Sequence, residues 1–130
     1  MLLFGHPYVP SQPFYHIDCI EALRHTPANS VVTLYFTPEN LDIIEHFRQN
    51  HIRFALHVET AVDAVIGENL GAEYLIVLPK YASEIQKVAE HYLFDAKVLG
   101  YIDTTKSLND LIEMRTDGAI FSDAIIKINS

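Results

Sequence analysis

The chain reads as an α/β fold: one domain, residues 1–130, built on a five-stranded, mainly parallel sheet of consecutive βα units. Two observations predict it. Residues 53–103 alternate RFALHV, a helical run through Asn69, EYLIVLP, a second helical run and KVLGYID, which is strand, helix, strand, helix, strand. Strand-like segments also begin near 31, 53, 73, 97 and 118, with helical patterning and short loops between them. Crossovers of that length join parallel strands and run right-handed. No glycine-rich linker divides the chain.

Taken in order, residues 1–16 stand apart. Pro7, Pro10 and Pro13 alternate with Phe4, Tyr8, Phe14 and Tyr15, which predicts an extended arm with LLF as a short edge strand. Its rings must bury, either across one end of this domain, the favoured reading, or against a second copy, in which case the arm is the expected contact of a homo-oligomer, a dimer. Asp18 is the expected N-cap of a short helix, CIEALRH. SVVTLYF is nearly continuous in apolar residues, as a strand covered on both faces is. Thr37-Pro38-Glu39 then reads as N-cap, proline at N1 and a first-turn acid, for a helix ending near Gln49.

After RFALHV, Thr60 caps TAVDAVIGENL, and Gly71 is placed for a left-handed helix end. Gly67, inside that helix, and Gly100, inside KVLGYID, predict close contacts that leave no room for a side chain. EYLIVLP, the most apolar strand, precedes helix YASEIQKVAEHYL. Thr104 and Thr105 are both able to cap SLNDLIEMR, AIFS is the last strand, and DAIIKINS is expected to close the chain with a turn of helix.

Two architectures fit. An open doubly wound sheet with helices on both faces, flavodoxin-like, is favoured. The alternative keeps the strands in sequential order with all helices outside, half of a (β/α) barrel. Over roughly residues 53–123 the text LGAEYLIVLP…KVLGYIDTTKSLNDL…TDGAIFSD resembles the repeats of phosphate-binding and aldolase-type barrels in its placement of strand, helix and glycine. The length is too short for eight such units.

Composition narrows the function classes. A hydrophobic content of 49% with 20% charged residues is that of a globular domain. Seventeen acids against nine Lys and Arg give a formal charge of −8, which repels phosphate backbones and excludes nucleic acid and anionic membrane as partners. Cys19 is the only cysteine, so there is no disulfide framework and no cysteine-built metal site. MLLFGHPYVP lacks a basic leader region and a long apolar run, so a cytoplasmic protein is expected. No cofactor is indicated: the sequence has neither G-x-G-x-x-G after a strand nor G-x-x-x-x-G-K-[ST], and His6, His16 and Cys19 match no metal spacing.

Parallel strands place their carboxyl ends, and the loops that carry chemistry, on one rim. That rim holds Thr37, His57, Glu59, Lys80, Tyr81, Asp103, Thr104, Ser122 and Asp123. Thr37 and Thr104 are explained as helix caps as readily as by ligands. Lys80, directly after a buried strand, is the candidate for Schiff-base chemistry, and the barrel resemblance points the same way. His57 shares a strand face with Glu59, the arrangement of an acid–base pair, though a hydrogen-bonded strand-end histidine explains it more simply. The leading functional expectation is therefore a non-enzymatic module that binds a small anionic ligand or self-associates. The alternative is a small aldolase- or lyase-like enzyme using Lys80, with His57, Glu59 or Asp103 as acid and base.

Overall fold

The computed structural model describes residues 1–129. Eight strands form one sheet in the order β1-β7-β6-β5-β4-β3-β2-β8. The elements run β1 (Leu2–Phe4), β2 (Phe14–His16), β3 (Val31–Tyr35), α1 (Leu41–Gln49), β4 (Phe54–His57), α2 (Ala61–Leu70), β5 (Tyr74–Val77), α3 (Pro79–His91), β6 (Lys97–Ile102), α4 (Leu108–Met114), β7 (Gly118–Phe121) and β8 (Ile125–Lys127). All seven strand pairings are parallel. The α/β class and the consecutive βα units stand, and the five expected strands start at or within one residue of their predicted places.

The open flavodoxin-like sheet does not. β7 and β8 lie six strand positions apart, which in a flat sheet is ~29 Å at the usual inter-strand spacing. Only residues 122–124 separate them in sequence, a link that reaches about 15 Å at most. The sheet therefore curls until its ends meet, with β8 the bent continuation of β7. Ring contacts across the interior agree: Phe4 on β1 lies 5.0 Å from Phe14 on β2, and both lie within 5.5 Å of Tyr74 on central β5.

Curling divides the apolar residues into two cores. The outer one, between sheet and helices, holds Val32, Leu34, Leu56, Leu75, Val77 and Val98 with Ile44, Phe47, Ile85 and Leu111 from the helices. The inner one holds Phe14, Val31, Ala55, Ile76, Leu99 and Ile120, with Phe4, Tyr74 and Tyr101 packed against it. Each strand alternates between the two, following the two-residue period of side chains along a strand.

Rings of the arm bury on their own domain, the first of the two places expected for them, and two other expectations are corrected. The arm contributes two strands, β1 on β7 and β2 between β3 and β8, and uses Phe4 and Phe14 inside its own molecule; Tyr8 is its outward ring, 89% exposed. Asp18 caps nothing: the following turn, Ile20–His25, is a 3₁₀ helix entered from Cys19. The closing segment is strand β8, because Ile125–Lys127 pairs residue for residue with Phe14–His16.

Local signals hold at Thr60 and Gly71, whereas Thr37 and Thr104 occupy N-cap positions without a side-chain capping bond. The Thr60 hydroxyl accepts from the Asp63 backbone N–H at 3.0 Å, and Gly71 ends α2 with φ 94°. Asp117, just before β7, accepts from the Val98 N–H at 2.9 Å while its backbone N–H donates to buried Gln86, tying α3 to both strands at their amino ends. No helix among the described residues is long and apolar enough to cross a membrane.

A Cβ at Gly100 would lie 2.4 Å from Leu111 Cδ2, so α4 seats its buried leucine directly on the β6 backbone. Gly100→Ala is expected to destabilise the fold by ~1–3 kcal/mol in urea unfolding, as overpacked cores do. Leu111→Ala in the same chain should recover part of that loss. Additive losses in the double variant would refute the contact.

Candidate functional site

At the carboxyl end of the curled sheet the inner core gives way to a cavity of about 620 Å³. Its floor follows from strand parity. His16 ends β2, Tyr35 ends β3, His57 ends β4 and Tyr101 lies one residue from the end of β6, each on the face shared with the inner core. Strand pairing and curling bring these four rings together. Tyr35 and His57 are 4.8 Å apart, His16 and Tyr35 4.8 Å, His16 and His57 5.5 Å, and His57 and Tyr101 6.4 Å. Above them Thr37, Glu59, Thr60, Asp63, Ser122 and Lys127 complete the wall.

The two histidines are held neutral. His16, only 8% exposed, pairs its Nδ1 with the Thr33 hydroxyl at 2.7 Å. Burial lowers its pKa, Lys127 lowers it further and Asp18 works in opposition. Burial also pushes His57 down to about 4, with His16 adding to the effect. His57 Nε2 has no hydrogen-bond partner, the one such buried side-chain atom among the described residues. An unpaired buried polar atom costs ~1–3 kcal/mol, so it marks the place where the core is least self-sufficient. Tyr101 is raised, first by burial and then by Asp103, Tyr35 and Asp123, and stays a neutral phenol.

The residues anticipated on the rim divide into two groups. His57, Glu59, Thr37 and Ser122 line the cavity. Lys80, Tyr81, Asp103, Thr104 and Asp123 do not. Lys80 is exposed in the first turn of α3, its Nζ 5.1 Å from the ring of neighbouring Tyr81, which itself packs on the outer core. Asp103, Thr104 and Asp123 are exposed. Glu59 lies past the end of β4 and is exposed, and the groups that act on His57 are its buried surroundings and His16.

Sequence reasoning missed His16, Tyr35, Tyr101 and Lys127 as members of one site. Parity alone would have found two of them: Gly100 marks the face of β6 toward the helices, so Leu99 and Tyr101 face away from it, and Tyr35 follows Val31 and Thr33. Lys127 was hidden by reading its segment as helix. Among the described residues no three His, Cys, Asp or Glu side chains converge as a metal site.

The depressed pKa of His57 has a signed consequence. Between pH 6.5 and 4 the unfolded chain binds a proton at this position that the folded chain refuses, so stability falls as pH falls through that window. A shift of that size corresponds to roughly 3 kcal/mol, with His16 acting in the same direction. Urea unfolding at pH 7 and pH 4.5 should show the loss, and His57→Leu should flatten the slope by about one proton. An unchanged slope in that variant would mean the ring is not buried neutral. No family model matches this sequence and no curated protein matches it, so the functional reading rests on the geometry of the cavity.

Proposed function

We propose that the protein is a non-enzymatic small-molecule-binding module whose ligand occupies the cavity at the carboxyl rim. The observation that carries this reading is a cavity of about 620 Å³, a size suited to one small organic molecule, lined by His57, whose buried Nε2 has no partner. Apolar Val58, Ile76, Val77 and Leu78 line part of that wall, and Tyr35, Tyr101, His16 and Thr37 add polar tips, the mixture that ligand sites use. The rigid sheet holds the rings, and the loops beyond it are free to vary.

Lysine-based lyase or aldolase chemistry has no comparable support. Lys80 is exposed and outside the cavity wall, so nothing desolvates its amine or presents a carbonyl to it. A second hollow of about 570 Å³ lies at the opposite pole, lined by Phe4, Pro13, Phe14, Arg53 and Tyr74. Arg53 there is already committed to Glu73, with both contacts at 2.8 Å.

A panel of small aromatic compounds of different charge tests the reading by thermal shift and by backbone amide NMR. A ligand present at about 100 times its Kd should stabilise the fold by ~2.7 kcal/mol. Its shift perturbations should centre on Tyr35, His57 and Tyr101. Perturbations centred on Tyr74 and Phe14 would move the site to the other pole, and a panel without any binder would refute a small-molecule function.

A further inference from the structure

The expectation of an anionic ligand does not suit the charges that face the cavity. Two carboxylates, Glu59 and Asp63, line it against one ammonium, Lys127, which is exposed and free to extend into water. Three more carboxylates act on the ring floor from outside the wall: Asp103 and Asp123 on Tyr101, and Asp18 on His16. The cations Lys80, in the first turn of α3, and Lys106, in the 3₁₀ turn before α4, are absent from the lining. The amino end of α3, which meets the wall at Leu78 and carries no first-turn acid, would by itself favour an anion, as would the amino end of α2 at Thr60. The first turn of α2, however, carries Asp63, and its Asp63 N–H is already taken by the Thr60 hydroxyl.

The floor has the complementary property. Tyr35, 58% exposed, and half-buried Tyr101 line the cavity with aromatic rings, whose π-faces attract cations. His16 and His57, uncharged at neutral pH, add rings without adding repulsion.

We propose that the cavity selects a small organic ammonium carried on a flat apolar body, with the charge between Glu59, Asp63 and the tyrosine faces and the body over the ring floor. This rests on the cavity being the ligand site, and it goes further by assigning the ligand's charge.

Three probes of nearly equal shape separate the two statements: benzylammonium, benzyl alcohol and benzoate, titrated by calorimetry into the intact chain at pH 7. The expected order of affinity is benzylammonium, then benzyl alcohol, then benzoate, with about tenfold between successive members, the scale of one favourable charge contact at a partly solvated site. Glu59→Gln with Asp63→Asn should erase the ammonium's advantage, weakening benzylammonium about tenfold more than benzyl alcohol. Tyr35→Leu, at an exposed position that the core does not need, should weaken benzylammonium more than benzyl alcohol. Benzoate binding as tightly as benzylammonium overturns the charge assignment while the cavity remains the site. Silence from all three probes, when other members of the aromatic panel bind, overturns the ammonium class. Silence from the entire panel overturns the site, and this proposal with it.

Discussion

The three residues between β7 and β8 constrain the whole molecule. Because Phe121 and Ile125 are so close in sequence, the strands they end and begin cannot sit at opposite sides of a flat sheet. Every other feature adjusts to that requirement. The sheet bends into a curved wall, its concave face becomes an interior, and that interior must be filled by side chains from the strands themselves. Phe4 and Phe14, contributed by the amino-terminal arm, supply much of the filling and meet Tyr74 from the far side. The prolines of the arm fit this role, since residues 7–13 only need to carry the chain from one short strand to the other and do not need to donate to a ladder.

The same bend creates the cavity. Adjacent strands already set Tyr35 beside His57 and His16, and the curved wall closes the pairs that stand two strands apart, His16 with His57 and His57 with Tyr101. Their mutual contact excludes water from the histidines, keeps both neutral and leaves one imidazole nitrogen without a partner. Among the described residues the other buried side-chain polar atoms find partners, and the exception at the head of the strands lies where parallel α/β sheets meet ligands.

Short-range chemistry was the readable part of this chain. The strand starts, the Thr60 cap, the left-handed Gly71 and the tight approach at Gly100 each depend on residues a few positions apart or on the absence of a side chain. The errors share the opposite property. Ile125–Lys127 carries two β-branched residues that suit a strand, but three residues are too few to declare one, and it becomes a strand because Phe14–His16, more than a hundred residues earlier, offers it hydrogen bonds. Lys80 looked like a strand-end residue until Pro79 placed it in the first turn of α3, on the solvent side.

By itself, then, the sequence determined that the strands run parallel, that a helix follows most of them, and that His57, Glu59, Thr37 and Ser122 gather at one end; that the helices cover only one face was decided by the curl of the sheet. The first three outcomes follow from local periodicity and from the length of the crossovers. Tertiary structure alone decided the curvature, the partners of the arm and the company His57 keeps. Contacts of that kind join residues distant in the chain, and their geometry depends on how the last strand finds the first rather than on any neighbouring residue.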